Sequence, residues 1–495
     1  MKTIFAVQSL YNKKLLCATL ACVLASTATF ATTATAATVA TPAKPGIDAA
    51  TLNTIREAAM GSNWAYQRLE DLTDLVGPRL SGSPGAAAAV TQVADAMKKI
   101  GAQVTLQPVK VPHWVRGVEA AELVGYTGRP AGITQKVVLT TLGSSSATPA
   151  AGITAPVLVV SSFDELQARA AEVKGRIVLF NVAYDQDLAN GGRAGEAYGL
   201  ATRYRSTGPN AAAKLGAVAA LMRSITGADY RLPHTGITNF DKGTSLPAAA
   251  ISTEDAMLMA RLAAKGPLTM HLTLTPQTLP DADSHNVIAD LPGSDPDAGV
   301  VLISGHLDSW DLAQGAIDDG AGVSAAMGAL ETLKRLGLQP RRTIRVVAWM
   351  SEENGGSGGK AYFDANKGKL TSHFAAVESD AGAGRPEGII AGIRPEYAAL
   401  FAPLQKALLP LGAPVLQRSD ALHTGDLTPL EQGGVPVFEP LLNNRDYFHY
   451  HHSAADTLDK VVPDHLRRQV ALMAMMSWYL ANMEDTIGRS PESKL

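Results

Sequence analysis

The stretch from residue 300 to residue 353 limits what this chain can fold into more than any other part of the sequence. Residues 300–303 and 343–350 are apolar runs with the length of buried strands, and residues 321–336 between them have helical spacing. A strand, a crossover helix and a second strand form a parallel pair, and ligands bind at the carboxyl ends of such strands. The pattern predicts an α/β domain that contains parallel strands.

Ionisable residues stand where these two strands end. His306 and Asp308 follow the first run, Asp318 lies in the Gly-rich turn before the helix, and Glu352 and Glu353 follow the second run. Packing explains the apolar runs but not these residues. Imidazole nitrogen and carboxylate oxygen are ligands of zinc and other divalent cations, and a carboxylate can bridge two ions. The sequence therefore predicts a metal site at this edge of the sheet.

The spacing suggests which of these side chains bind metal and which have other roles. In an extended segment, the side chains of His306 and Asp308 point the same way, which suits a ligand histidine oriented by a carboxylate. Glu352 and Glu353 face different directions, so one can bind metal while the other stays free as a base. Asp380 follows another predicted strand, residues 373–377, in the position that the earlier residues occupy.

Residues 447–457 hold three of the 11 histidines, namely His449, His451 and His452. Such a group can bind metal, relay protons or pack as aromatic rings. Because the site still needs a second imidazole, we expect a last metal ligand from this loop.

The composition excludes some partners. The chain has 495 residues, enough for two or three domains, with a net charge of −3 and only 18% charged residues. It contains no basic block, so nucleic acid is not an expected partner.

The N-terminus predicts export. Lys13 and Lys14 precede an apolar segment, residues 15–30, and Ala34-Thr35-Ala36 matches a cleavage pattern. We interpret residues 1–36 as a signal peptide and 37–46 as a flexible leader, with no stable membrane span in the mature form. The mature protein is therefore expected to be periplasmic or secreted. Both cysteines lie within the signal, so we expect neither disulfides nor thiolate ligands in the mature protein.

Beyond the leader, we expect residues 47–144 and 279–495 to form one main domain, interrupted by a small α/β insertion at 145–278. The insertion shows no cluster of His, Asp and Glu, so we expect it to shape access and assembly rather than to hold metals. Arg79, in a turn-rich connector, can hold carbonyl groups or a carboxylate, or can bind substrate. The strand predicted at 104–111 should end before Pro112.

Five motifs, in order along the chain, resemble the M28 metallopeptidases: His306-Leu307-Asp308, Gly315-Ala316-Ile317-Asp318-Asp319-Gly320, Glu352-Glu353, Glu378-Ser379-Asp380 and His452-Ser453-Ala454-Ala455-Asp456-Thr457. Residues 77–83, 112–117 and 305–311 resemble more narrowly a carboxypeptidase subgroup of that family. The resemblance implies the zinc exopeptidase fold, which is an α/β fold with a mixed, mostly parallel sheet and helices on both faces. It also implies a protease-associated-like α/β insertion domain and two Zn²⁺ per chain. It is consistent with a homodimer.

The resemblance also implies roles for individual residues. His306 and Asp380 would hold one zinc, Glu353 and His452 the other, and Asp318 would bridge them. Asp308 would orient His306, and Glu352 would be the general base. His452 is preferred to His451 because it directly precedes the Ser-Ala-Ala-Asp-Thr run.

The expected function is an exported zinc exopeptidase that hydrolyses dipeptides or short peptides through a metal-bridging water. An aminopeptidase is the alternative, with Asp426, Asp420 or Glu378 as the anchor for the substrate's amine. A non-catalytic, receptor-like binding protein and a single-zinc glutaminyl cyclase are further alternatives. Tyr450 and His423 are candidates for stabilising the oxyanion.

Overall fold

The computed structural model describes residues 47–228 and 230–493, so the signal and leader predicted at 1–46 lie outside the described residues. Within that part of the chain the strands are β1 Gln103–Val115, β2 Glu119–Tyr126, β3 Gln135–Lys136, β4 Leu139–Thr141, β5 Ile153–Val160, β6 Ile177–Phe180, β7 Ala219–Arg223, β8 Ala248–Ile251, β9 Leu268–Leu274, β10 Gln277–Leu291, β11 Val300–His306, β12 Thr343–Trp349, β13 His373–Glu378, β14 Pro386–Gly392, β15 Val415–Ser419 and β16 Val437–Leu442.

The α-helices of the described residues are α1 Ala49–Met60, α2 Trp64–Asp71, α3 Pro84–Lys99, α4 Phe163–Ala168, α5 Ala170–Val173, α6 Gln186–Asn190, α7 Ala194–Ser206, α8 Gly208–Lys214, α9 Thr253–Ala263, α10 Ala321–Arg335, α11 Ser357–Asn366, α12 Ala402–Leu408, α13 Thr428–Gln432, α14 Tyr447–Tyr450 and α15 Pro463–Asn482. None of these helices is both long and apolar enough to cross a membrane.

The main sheet has the strand order β1-β10-β12-β11-β13-β16-β14-β15. Its four central strands, β12, β11, β13 and β16, run parallel, and antiparallel pairing brings in β10 on one side and β14 on the other. The mixed α/β sheet predicted from the sequence is thus confirmed. Because the central strands are parallel, their carboxyl ends meet at one edge.

Helices cover both faces of this sheet. Alternate residues of a strand point to opposite faces, and β11 follows this rule: Val301 and Ile303 pack in one core cluster, which includes α10 and α15, while Leu302 packs in another beside Tyr362 of α11. The central strands are therefore apolar on both faces, as their continuous hydrophobic runs predict.

A second sheet has the order β3-β2-β9-β5-β6-β7-β8-β4, with β5 to β8 parallel. Its strands begin at Glu119, so the boundary predicted at residue 145 cuts through the sheet. The reason is that β2, β3 and β4 pair only with strands beyond that boundary or with one another. No periodicity marks this long-range pairing in the sequence.

The predicted end of the first strand before Pro112 is wrong. β1 continues to Val115, and its pairing with β10 shifts register between Val111 and His113. Proline lacks the N–H that a regular ladder needs, and a register shift is where a strand tolerates it.

Candidate metal centre

Polar side chains follow the carboxyl ends of the four parallel strands and lie close together at one edge of the main sheet. β11 ends at His306, β12 is followed by Glu352 and Glu353, and β13 by Asp380. β16 leads through α14 to His452. The carboxyl edge thus brings together residues that are far apart in the sequence, as the strand–helix–strand pattern predicts.

Asp318 lies at the middle of this group, and its two carboxylate oxygens face different partners. Its Oδ1 is 3.2 Å from Nε2 of His306, which in turn is 3.4 Å from Oδ1 of Asp380. Its Oδ2 is 3.2 Å from Nε2 of His452, and that nitrogen is 3.0 Å from Oε2 of Glu353. One carboxylate therefore links two sets, each with one imidazole and one further carboxylate.

His451 also faces the second set. Its Nε2 is 3.4 Å from Oδ2 of Asp318, and its ring stacks on that of His452 with centroids 3.6 Å apart. Both His451 and His452 can therefore offer a nitrogen to a cation beside Asp318. The contact of His452 with Glu353 distinguishes the two rings.

Opposing effects set the pKa values in this group. Burial alone lowers the pKa of His306, but the Asp380 and Asp318 carboxylates outweigh it and raise that pKa well above its usual range. Burial likewise lowers the pKa of His452, and Glu353 and Asp318 raise it well above its usual range. Each ring is thus placed where a positive charge is stabilised, and a metal cation supplies that charge as well as a proton does.

The donor set fits a metal ion. Oε1 of Glu353 is buried and accepts no hydrogen bond within the described residues. Oδ2 of Asp318 is also buried, and of the described donor groups only the Nε2 atoms of His451 and His452 lie near it. A cavity of about 10 Å³, room for a single small species, is lined by Asp318, Glu353 and His452. Buried carboxylate oxygens without donors are costly unless a cation binds them. Nitrogen and oxygen donors in this number are typical of zinc.

Glu352 differs from Glu353 although the two are adjacent. Its side chain is partly exposed and accepts no hydrogen bond within the described part of the chain. Burial raises the pKa of Glu352 well above its usual range, and the Asp380 and Glu353 carboxylates raise it further, with His306 opposing. Among the described residues, the Glu352 carboxylate is thus free of hydrogen bonds, and its raised pKa favours the uptake of a proton.

Two aspartates hold the backbone of the centre. Oδ1 of Asp308 accepts the backbone N–H groups of Ser351 and Glu352 at 2.7 and 3.0 Å. Nδ1 of His306 lies 3.0 Å from the carbonyl oxygen of Asp308 and 3.8 Å from its carboxylate. Asp319 accepts the backbone N–H of His306 at 3.0 Å and that of Gly322, at the start of α10, also at 3.0 Å. Sequence reasoning missed Asp319.

Arg79 also has a structural role. Its side chain is fully buried and donates to the carbonyl oxygens of Leu307, Gln314 and Gly315 at 2.6, 2.5 and 2.7 Å. These carbonyls belong to the loop between His306 and Asp318. Of the interpretations open from the sequence, the contacts match the one in which Arg79 holds carbonyl groups.

The second sheet reaches the centre as well. Backbone N–H of Thr235 donates to the carbonyl of His452 at 2.8 Å, and Nη1 of Arg205 lies 3.3 Å from Nδ1 of His452. Residues 145–278 contribute no side chain to the candidate metal-binding clusters of the described residues, but they contact one of the candidate ligands. Contacts between distant loops leave no pattern in a single sequence, and neither residue stood in a recognisable motif.

Other residues singled out from the sequence lie elsewhere. Glu378 and Asp426 are fully buried, which leaves no surface for a substrate's amine, and Asp420 pairs with Arg418 in an exposed loop. Within the described residues, neither Tyr450 nor His423 has a hydrogen bond or ion pair with a residue of the centre. Tyr447, which sequence reasoning missed, lies against His451 with ring centroids 4.9 Å apart.

Fold and site together define a metallopeptidase class, and comparison with known proteins agrees. The model of Peptidase family M28 matches residues 286–477. Human carboxypeptidase Q is 39% identical over 434 residues, which cover 86% of this chain and 87% of the relative. Bovine carboxypeptidase Q is 38% identical over the same shares. The chain belongs to peptidase family M28.

Solved structures give the same assignment. A peptidase M28 precursor from Shewanella amazonensis has 36% sequence identity and a TM-score of 0.84, with 90% of this chain and 98% of that chain covered. A zinc aminopeptidase from Bacillus subtilis has a TM-score of 0.62 at 18% identity, covering 86% and 97% of the two chains, and shows the shared fold. The carboxypeptidase subgroup indicated by the shorter motifs is thus the one to which the similar relatives belong.

Proposed function

We propose that this protein is an exported exopeptidase that binds two Zn²⁺ per chain and hydrolyses dipeptides or short peptides. The observation that carries the proposal is the Asp318 carboxylate, whose two oxygens each lie 3.2 Å from the Nε2 atom of a different histidine. A bridging carboxylate between two imidazole–carboxylate sets is the arrangement that two neighbouring metal ions need.

The contacts support the residue roles in this proposal. His306 and Asp380 would hold one zinc, Glu353 and His452 would hold the other, and Asp318 would be shared by both. When bound, zinc supplies Lewis acidity, which acidifies a water molecule and polarises a carbonyl group.

Glu352 is the general base of the proposal. It is adjacent to the ligand Glu353, its carboxylate is free of other hydrogen bonds among the described residues, and its surroundings favour proton uptake. It takes a proton from the attacking water and returns it to the departing amine. Asp308 fixes the backbone of Ser351 and Glu352, and so positions the base.

A cavity beside the centre supports action on a free carboxyl terminus. Its volume is about 480 Å³, and its wall includes Ile317, the neighbour of Asp318, and Tyr447, which contacts His451. Lys460 on the same wall pairs with Asp459, whereas Arg385 has no ion pair with any described carboxylate. A guanidinium without a partner suits a carboxylate.

A peptide panel tests the function. The purified protein is incubated with dipeptides and with N-blocked and C-amidated versions, with and without a chelator. We expect hydrolysis of substrates with a free carboxyl terminus, loss with the chelator, and recovery on adding Zn²⁺. Cleavage of C-amidated but not N-blocked peptides would assign an aminopeptidase instead. Metal binding without any hydrolysis would favour a binding protein.

Export has its own test. If residues 1–36 are a cleaved signal, mass spectrometry of the protein from its native source should find a mature chain that starts near Ala37, outside the cytoplasm. Recovery from the cytosol with Met1 intact would contradict this part of the proposal.

A further inference from the structure

The loop that carries His452 is hydrogen-bonded to His234 and Thr235, which lie between β7 and β8 in the part of the chain that forms the second sheet. His234 and Ser453 form an antiparallel bridge, and the backbone N–H of Thr235 donates to the carbonyl of His452 at 2.8 Å. Nδ1 of His234 donates to the carbonyl of His451 at 2.6 Å. The backbone of both histidines is thus fixed by a neighbour more than two hundred residues earlier in the sequence.

The His452 ring is held from the same side. Its Nδ1 lies 3.2 Å from the carbonyl oxygen of Thr235. Nη1 of Arg205 donates to that same carbonyl at 3.2 Å and to the Tyr198 hydroxyl at 2.6 Å. Nη1 of Arg205 also lies 3.3 Å from Nδ1 of His452. These contacts orient the ring so that its Nε2 lies 3.0 Å from Oε2 of Glu353 and 3.2 Å from Oδ2 of Asp318.

Arg205 occupies a closed position. Its side chain is only 7% exposed, and a Cβ atom placed on Gly236 would lie 2.3 Å from its Cζ. No carboxylate among the described residues forms an ion pair with it. A buried guanidinium without an acidic partner is costly, so its hydrogen bonds to Thr235 and Tyr198 must compensate where it stands.

The histidine loop needs such support. His452 has a φ of 60°, in the left-handed region that residues other than glycine seldom adopt. Such a conformation is strained and persists only when the surroundings enforce it. The contacts that enforce it here come from His234, Thr235 and Arg205.

We propose that Arg205, His234 and Thr235 are positioning residues that hold His452 in the orientation a metal ligand needs, so that the second sheet's part of the chain completes one of the two metal positions. This inference rests on the proposed function. It assigns to that region a role in metal binding in addition to any role in access.

Metal binding of the full chain is the primary readout. Metal-free protein is titrated with Zn²⁺ against a chromogenic chelator, and with Co²⁺ by visible absorption, which reports the ligand geometry of each position. Wild type and His452→Ala come first: wild type should bind two ions, and His452→Ala should lose the tight binding of one. If wild type binds no metal, both the proposed function and this inference fail.

Arg205→Lys keeps the charge but removes the planar group that reaches both Thr235 and Tyr198. We expect a loss of about 10- to 100-fold in affinity at one position and a changed Co²⁺ spectrum, as is typical when a partner of a ligand histidine is altered. Arg342→Lys is the matched control, because Arg342 is also buried and also donates to backbone carbonyls, those of Leu480 and Met483. It should lose stability without a change in metal affinity.

A pair of variants at His234 gives a second test. The amide nitrogen of His234→Asn can donate where Nδ1 did, so wild-type affinity should be kept, whereas His234→Leu should lose affinity at the same position as Arg205→Lys. Should Arg205→Lys fail to fold, Tyr198→Phe replaces it, because the ring still stacks on Phe448 while the acceptor is gone. If His452→Ala loses one metal but the Arg205 and His234→Leu variants bind both ions as wild type does, this inference is overturned and the proposed function stands.

Discussion

The two histidine–carboxylate sets of the candidate metal centre are supported in different ways. His306 is the last residue of β11, in the middle of the main sheet, and Asp380 follows the end of β13 directly beside it. His452 lies in a loop with left-handed backbone geometry and depends on hydrogen bonds from the second sheet's part of the chain. A ligand at a strand end takes its position from the sheet ladder, whereas a ligand on a loop needs separate support. We therefore expect the His306 position to be the more robust of the two.

The largest expected effect separates the two glutamates at the end of β12. Glu352→Gln keeps the size of the side chain but cannot accept a proton, so turnover should fall at least about 10²-fold. Both metals and the folded stability should be retained, because the Glu352 side chain has no hydrogen bond to a proposed metal ligand among the described residues. Turnover and zinc per chain are the measurements. Loss of metal in this variant, with retention in Glu353→Gln, would reverse the two roles.

The next prediction compares the two metal positions directly. Glu353→Gln and Asp380→Asn each replace a charged ligand by a neutral amide, so each should weaken one position by roughly 10-fold or more. Excess Zn²⁺ should restore part of the activity in both. The double variant Asp380→Asn with Arg205→Lys should bind both ions weakly, since Asp380→Asn affects the His306 position and Arg205→Lys the His452 position. If both substitutions weakened the same metal position and left the other unchanged, the proposed assignment of ligands to two positions would be contradicted.

A smaller effect is expected at Arg116, which lies between β1 of the main sheet and β2 of the second sheet and contacts the loop between His306 and Asp318. Arg116 binds Asp311 through Nη2 and Nε, at 2.5 Å and 2.9 Å, and Asp311 lies between His306 and Asp318. A double-mutant cycle with Arg116→Gln and Asp311→Asn should give a coupling of about 1–2 kcal/mol in the free energy of unfolding. Metal affinity should not change, because β11 and Arg79 already position His306. A change in affinity comparable to that of Arg205→Lys would remove the contrast between the two sets.

The last prediction concerns pH and the main sheet alone. Burial lowers the pKa of His373 to about 4, opposed by a hydrogen bond to the Lys369 carbonyl. Between pH 6.5 and 4 the unfolded state therefore binds a proton that the folded state does not, so stability should fall as the pH falls through this range. His373→Gln should make the dependence shallower by up to about 1 kcal/mol per pH unit. Urea unfolding of metal-free protein measures this without metal release, and an unchanged slope would contradict it.

Much of the main sheet and its ligand set could be predicted because the signals are local. Apolar runs mark the strands, and His306, Asp318 and Glu353 stand next to them in the sequence. The parallel order of the strands then requires that these ends meet. The chemistry of one edge of the sheet can thus be read from short segments.

The remaining features depend on contacts between distant segments. Asp319 looks like a second copy of Asp318, yet it holds the backbone of His306 and Gly322. Arg205 belongs to an ordinary helix, α7, and only the folded chain brings it to His452. Neither role has a spacing or a composition of its own, so a single sequence does not predict it.

The hydrogen bonds of Arg79 bear on the order in which the centre can form. Arg79 precedes the carbonyls that it binds by 228 to 236 residues, and the whole second sheet lies between them. Such long-range pairings form late in folding, after the loop-closure entropy has been met. Asp318 therefore reaches its final position only when Arg79 and the loop at residues 307–315 have come together. A partly synthesised chain should bind metal weakly, and the two ions should enter an already folded protein.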